Sequence, residues 1–453
     1  MSDIQTQLAD AIGANNISTH WPNGMAEILV TDAQPVCMAL PTTTEDLGKV
    51  LALASQHSWR ILPTGQGTKL TWGGLTKEID LIVSTAQLNH IVDHAVGDFT
   101  VTVQPGLKLS DLQATLAQQG QFLAIDPAFS QQATLGGLVA TADTGSLRQR
   151  YGGLRDMLIG VQFARYDGAL ARAGGKVVKN VAGYDLMKLM TGSYGSLGVL
   201  SELTFRLYPQ MTNLRSLILT GALPAIEAAA ADIRLSGLTP IAFDVLSKRV
   251  TAALAPSNSQ PNSNSQPNSH AIVARFQGVA AGVEEQTERL SKIAATHSLN
   301  TQQLDGEADT AFWQNSAALI KPHTGLCKVG LKPSGLPSLL ALADEIIPTA
   351  QVRLYGSSGL GWVQFEPVGE GSEGSEGSEG ESGKVSTVDV IEKLRSHCEQ
   401  HAGFLTLLQA PKSIKENIDI WGYTGNAINM MSSIKQTFDP QNLLSPNRFV
   451  GEL

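Results

Sequence analysis

Residues 41–104 change hydrophobic period twice, and the changes locate the elements. In "PTTTEDLGKVLALASQHSWRILPTG", Leu47, Val50, Leu51 and Ala54 recur at i, i+3, i+4 and i+7, the stripe of an amphipathic helix. Thr43 and Asp46 have the spacing of a capping box at its start. The apolar run "RILP" then reads as a buried strand that leads directly into a glycine-rich loop. "DLIVS", "HIVDH" and "FTVTVQPG" follow as short strands. "LSDLQATLAQQG" reads as a helix with Ser110 as N-cap and Gly120 as its stop.

From Leu135 to Pro209 apolar stretches such as "MLIGVQFA" and "GVLSELTFRLYP" alternate with glycine-dense turns, the pattern of a mixed α+β domain. Beyond residue 212 the texture changes. "LRSLILTG", "IAFDVLS", "AIVARFQG", "GLCKVGLKP" and "QVRLYG" read as strands between alanine- and leucine-rich helical segments. An antiparallel sheet backed by helices is the simplest account of this second α+β region. It is interrupted near 256–270 and near 369–384 by low-complexity runs of Ser, Asn, Gln and Pro or of Gly, Ser and Glu, too polar to bury a core. The expected division is 1–211, 212–405 and a returning C-terminal segment 406–453.

Composition narrows the chemistry. The chain has 453 residues, enough for two or three domains, with 42% hydrophobic and 16% charged residues and a formal net charge of −9. An acidic chain without a basic stripe is a poor binder of phosphate backbones, so nucleic acid is not the expected partner. Cys37, Cys327 and Cys398 lie far apart, which encodes neither a disulfide framework nor a metal or iron–sulfur site. The absence of a secretory pattern and of a transmembrane run leads to the expectation of a cytoplasmic protein.

Three glycine clusters carry the candidate chemistry. The first is "PTGQGTKLTWGG" (63–74), where glycine permits a backbone that presents several N–H groups to an anion. It is neither a Walker A motif nor a Rossmann fingerprint, and alone it reads equally as a structural turn. The second, "TLGGLVATADTG" (134–145), joins Thr134 to Gly136 and Gly137 and is followed by "RYGG". The third, "GSYGSLGVLSELTFRLYP" (192–209), places Gly192, Gly195 and Gly198 at three-residue spacing before a buried strand. Three such clusters in one domain suit a long cofactor laid against backbone.

The order PTGQGT, TLGG, RYGG, GYDL, GSYGSLGVLSELTFRLYP and FDPQNLLSPNRF resembles the FAD-binding domain of the vanillyl-alcohol oxidase, or PCMH-type, flavoproteins. Within it the likeness is strongest to the E-type FAD-binding subunits of bacterial glycolate oxidases. It covers about residues 30–210 and the last 25 or so, and "GKVVKNVAGYDLMKLMTGSYGSLGVL" is its most specific part. The implied fold is α+β: a PCMH-type FAD-binding domain of two subdomains with an inserted α+β cap. The resemblance implies a diphosphate cradle at Pro63, Thr64, Gly65, Gln66, Gly67 and Thr68. It further implies approach to the diphosphate and flavin edge by Pro127, Thr134, Gly136, Gly137, Ala142 and Gly145, and contact with the adenine half by Gly198, Val199 and Leu200. No histidine lies between Pro63 and Gly74, so the implied FAD is noncovalent.

Relatives that oxidise 2-hydroxy acids carry H-x-G-D-G-N-x-H and a later E-H-G, and this chain has neither. Hydride transfer from a hydroxy acid requires a base for the hydroxyl proton and a cation for the carboxylate. His323, His397 and His401 are candidate bases, and Arg148, Arg150, Arg155 and Arg353 candidate carboxylate holders, although residues of these types in such contexts more often have ordinary surface, core or structural roles. Lys179, Asn180, Tyr184 and Asp185 read either as flavin-pocket residues or as turn and cap formers, and Trp72 as cofactor cover or core. No catalytic residue and no metal ligand is assigned. The resemblance implies an FAD-binding subunit of a glycolate oxidase complex, passing electrons through a related flavin subunit and an iron–sulfur subunit, with peripheral attachment to the inner face of the membrane through that complex. The alternatives are a self-sufficient hydroxy-acid or alcohol dehydrogenase and a non-catalytic assembly subunit.

Overall fold

The computed structural model describes residues 3–31, 33–176, 183–210, 213–255, 269–367 and 386–453. The two low-complexity runs, and with them Lys179 and Asn180, lie outside the described residues, apart from the ends of the runs. The chain forms two compact units, Met1–Gln210 with Tyr423–Leu453, and Met211–Gly422.

The first unit holds two main sheets. In a four-stranded sheet the strands Cys37–Ala39 and Ile61–Thr64 both run parallel to Leu81–Ser84, which lies between them. The helix Thr44–His57 connects Cys37–Ala39 to Ile61–Thr64, and the Thr43 hydroxyl caps it by accepting from the Asp46 amide at 3.0 Å. Its predicted stripe, Leu47, Val50, Leu51 and Ala54, is buried against the sheet with Leu8, Ile61, Leu81 and Leu444. A five-stranded antiparallel sheet, ordered Ile91–Ala95, Thr100–Val103, Val199–Arg206, Leu158–Ala164, Leu170–Gly174, forms the second subdomain. The helices Leu109–Ala117, Leu135–Thr141 and Leu186–Met190 contribute to its core. Ser110 is not the cap expected of it: the helix begins at Leu109 after Lys108, and the Ser110 hydroxyl donates instead to the Gln131 carbonyl at 3.1 Å.

The second unit is one eight-stranded antiparallel sheet. Four helices, Leu223–Leu235, Ala280–Thr296, Leu336–Ile346 and Thr387–Gln400, share a core with residues of one sheet face such as Phe243, Phe276, Val352 and Val363. This unit continues past the expected boundary at 405. Phe404–Gln409 pairs with Gly325–Gly330 as a strand of the sheet, and Ile414 and Ile420 fill its core, so the chain returns to the first unit only at Tyr423.

The returning segment is fastened by a buried ion pair. Lys435 sits on the helix Ile428–Phe438 and gives its three hydrogens to the Asp439 carboxylate (2.6 Å), the Leu444 carbonyl (2.8 Å) and the Ser196 carbonyl (3.0 Å). Asp439 in turn accepts from the Leu443 and Leu444 amides. Beyond it, the Ile61 amide donates to the Leu443 carbonyl and the Ser445 amide to the Ile61 carbonyl, a parallel bridge with Leu444 that lays the segment along the Ile61–Thr64 strand. Removing one partner of such a pair strands a charge, so Asp439→Ala should cost about 3–5 kcal/mol of stability in urea unfolding and expose 423–453 to proteolysis.

Candidate functional site

A cleft in the first unit gathers all three glycine clusters. Its first wall is the loop after strand Ile61–Thr64. The strand ends when the Thr85 amide and hydroxyl both bond the Thr64 carbonyl, and the chain then coils through Leu70 N–H to Gly67 and Trp72 N–H to Lys69. Gly67 has φ +76, a backbone conformation that L side chains rarely adopt, and a Cβ there would stand 2.7 Å from Pro22. Between these bonds the amides of Gln66, Gly67 and Thr68 donate to no acceptor among the described residues.

The second wall is helical. Leu135–Thr141 is a short helix, with the Thr134 hydroxyl accepting from the Gly137 amide at 3.4 Å. The Gly136 amide is bonded to the Pro105 carbonyl at 2.7 Å, so both glycine amides are spent inside the protein. Their role is close approach between chain segments. A Cβ on Gly136 would stand 2.7 Å from Pro105, and one on Gly65 only 2.2 Å from the Thr134 hydroxyl, which packs the first loop directly on the second cluster. The third wall comes from the turn before strand Val199–Arg206, where Gly198 packs so tightly that a Cβ would meet the Phe163 ring at 2.7 Å.

Of the residues expected from sequence, Pro63 through Thr68, Thr134, Gly136, Gly137 and Gly198 through Leu200 all line this cleft. Pro127, Ala142 and Gly145 are not among its lining residues. Pro127 follows Asp126, whose carboxylate accepts from the Ser146 and Leu147 amides, and a Cβ on Gly145 would strike the Asp126 carbonyl at 2.2 Å. Ala142, with φ 49, ends the Leu135–Thr141 helix.

Three ionisable lining residues received no role from the sequence: Lys69, Tyr194 and Arg448. The Arg448 guanidinium, fully buried, donates to the carbonyls of Gly74 (2.6 Å), Leu70 and Trp72, which ties the C-terminal segment to the far end of the first loop. Burial depresses its pKa to about 10. Burial likewise raises the Tyr194 phenol, and the Asp143 charge adds to this, so Tyr194 stays protonated at neutral pH. Lys69 donates to the Ala128 carbonyl at 3.1 Å and sits 3.3 Å from Asp143; burial pulls its pKa down and the Asp143 charge opposes this. Trp72 is 2% exposed and lines the cleft beside Lys69, so it is both wall and core.

The remaining candidates lie elsewhere. His397 bonds the Ser338 hydroxyl and lies tilted against the His401 ring, whose Nδ1 meets the His397 carbonyl, so both serve the packing of their helix. Arg353 is paired with the buried Asp244 carboxylate at 2.7 and 2.8 Å, and His323 is an exposed residue of a turn. Asp185 caps its helix by accepting from the Lys188 amide, and Tyr184 is 90% exposed. Arg148, Arg150 and Arg155 are not lining residues of the cleft.

Against known families, residues 35–174 match the FAD binding domain and residues 422–449 the C-terminal domain of FAD linked oxidases. The chain thus carries an FAD binding domain and a match to the C-terminal domain of FAD linked oxidases. FAD is its cofactor. The two matched segments come together in the first unit, apart from Gly422. The chain is 25% identical over 466 residues to glycolate oxidase subunit GlcD of Bacillus subtilis, covering 99% of this chain and 97% of that protein. It is 23% identical to a D-lactate dehydrogenase of Archaeoglobus fulgidus over 93% of each. The solved structure of p-cresol methylhydroxylase, at 12% identity, covers 98% of this chain and 96% of its own with a TM-score of 0.68, which establishes the PCMH-type fold.

Arg448 is the residue of this site with the clearest structural signature. Arg448→Met leaves carbonyls of residues 70–74 buried without a donor, and should lower stability by roughly 3 kcal/mol in urea denaturation. Arg448→Lys should recover only part of this, because an ammonium lacks the planar fork that reaches several carbonyls at once.

Proposed function

We propose that FAD lies in this cleft with its diphosphate on the amides of Gln66, Gly67 and Thr68, and that the chain is the FAD-binding subunit of a 2-hydroxy-acid oxidase complex acting on glycolate. The observation that carries the first part is the run of unspent amides in a glycine loop, which suits a diphosphate and is costly to leave unpaired. The Gly136 and Gly198 walls then act through shape, and Val199 and Leu200 offer apolar surface to the adenine half. Nothing in the first loop offers a histidine for a covalent link, in keeping with noncovalent FAD.

The substrate reading rests on the full-length likeness to GlcD, together with the likeness to D-lactate dehydrogenase. Oxidation of glycolate to glyoxylate removes two electrons and two protons. Bound FAD supplies the two-electron acceptor. The ionisable side chains that line the cleft are Lys69, Tyr194 and Arg448, and each is already committed: Tyr194 holds its proton, Lys69 donates to the Ala128 carbonyl beside Asp143, and Arg448 is engaged with carbonyls. This favours a chain that binds flavin and relays electrons, with proton removal on a related flavin subunit and onward transfer through an iron–sulfur subunit. Such a complex would work in the cytoplasm, at the inner face of the membrane. Among the described residues no helix is long and apolar enough to cross a membrane, so attachment would come through the partners.

The full-length likeness to a D-lactate dehydrogenase favours a second reading, a self-sufficient dehydrogenase. The purified chain, loaded with FAD and mixed anaerobically with glycolate or D-lactate, separates the two. The expected result is a yellow protein with roughly one FAD per chain whose visible absorbance bleaches only when partner subunits are added. Bleaching by the chain alone would establish the second reading, and a chain that cannot be loaded with FAD would defeat both.

A further inference from the structure

The donors left unspent in the cleft extend from the backbone to two side chains. An ammonium carries three hydrogens. Lys69 places one on the Ala128 carbonyl and one toward Asp143, and no further acceptor is found for it among the described residues. Its side chain is only 5% exposed. Beside it, with the ammonium 5.3 Å from its ring centroid, Trp72 is buried, and its Nε1–H has no partner among the described residues. Both residues line the cleft, and Lys69 follows directly on the free amides of Gln66, Gly67 and Thr68.

A buried indole N–H without an acceptor is costly, and a buried ammonium more so. Fixing two such groups in one wall is sustained when a ligand oxygen completes them. Asp143 opposes the loss of the lysine's charge in so dry a place. Its carboxylate, itself bonded to the Ala128 amide at 2.9 Å, stands beside the ammonium and fixes its position. The pair is neutral overall, so its effect on a ligand comes from a directed donor rather than a long-range field.

We propose that Lys69 and Trp72 are side-chain donors to the diphosphate of the bound dinucleotide, adding to the amide cradle a recognition element that separates dinucleotides and ADP from uncharged riboflavin. This rests on the reading that FAD occupies this cleft. A diphosphate supplies the anionic oxygens that the ammonium, the indole N–H and the three amides lack, and charge-assisted bonds are the stronger kind.

The test uses the full chain stripped of flavin and titrated calorimetrically with FAD, ADP and riboflavin. The double variant Lys69→Met/Asp143→Asn removes both charges together, leaving net charge unchanged and no stranded carboxylate. It should weaken FAD and ADP roughly 10–100-fold and leave riboflavin within about twofold. Trp72→Phe keeps the ring and deletes the N–H, and should weaken FAD and ADP about fivefold. Lys69→Arg, which keeps a charged donor, should recover part of the loss. ADP and FAD binding unchanged in both the double variant and Trp72→Phe would overturn the proposal, as would equal losses for riboflavin. Gly67→Val isolates the underlying reading. If it too retained FAD, the cleft assignment itself would fail, whereas loss of FAD in Gly67→Val with full retention in the lysine and tryptophan variants would refute this proposal alone.

Discussion

One guanidinium holds the site in shape. Arg448 reaches the carbonyls of Leu70, Trp72 and Gly74 from a segment more than 370 residues further along the chain. A glycine-rich loop has the most conformational freedom to lose on folding, and it cannot hold free amides in fixed positions unless something else binds its ends. Here the near end is fixed by the parallel ladder of Ile61–Thr64 with Leu81–Ser84, and the far end by Arg448. The loop between them is left with its amides unspent. Burying the guanidinium is unfavourable, as its depressed pKa records, and several short bonds to carbonyls offset the cost.

The C-terminal segment is therefore part of the site's construction, although it returns only after the whole second unit. Lys435 and Asp439 fasten it to Ser196 in the third cluster, Leu443 and Leu444 join it to Ile61, and Arg448 closes the first cluster. Each glycine cluster is also packed on a neighbour at distances no side chain would allow: Gly65 on Thr134, Gly136 on Pro105, Gly198 on Phe163. The cleft is thus made by glycine backbone packed closely on neighbouring side chains, and most of its glycines serve the protein's own packing. Gly67 is different, since its positive φ shapes the loop that bears the free amides.

Elements with a strong period were legible in the sequence, and those whose identity depends on distant contacts were not. The stripe Leu47, Val50, Leu51, Ala54 and the apolar strands of both units declared themselves because burial on one face enforces a period. The strand Asn300–Asp305 did not, because it lies at the edge of its sheet and of its residues only Leu304 is buried. Ser110 was misplaced as a cap because a serine near a helix start has the right chemistry either way, and a carbonyl of Gln131 decided its use. TLGG stood in the sequence only as a glycine cluster, and its helix became visible through the Thr134 cap and the Gly136 bond to the Pro105 carbonyl. For the site, glycine clusters marked the cleft, while Pro127, Ala142 and Gly145 are not among its lining residues. Lys69 and Arg448 gave no local signal at all. Their importance lies in burial beside partners tens or hundreds of residues away.

The account depends on where the diphosphate sits, and a crystal structure of the FAD-loaded chain measures that directly. The expected result is a diphosphate within hydrogen-bonding distance of the Gln66, Gly67 and Thr68 amides, with the Arg448 bonds to residues 70–74 intact. A diphosphate bound elsewhere, with those three amides still unpaired, would contradict it.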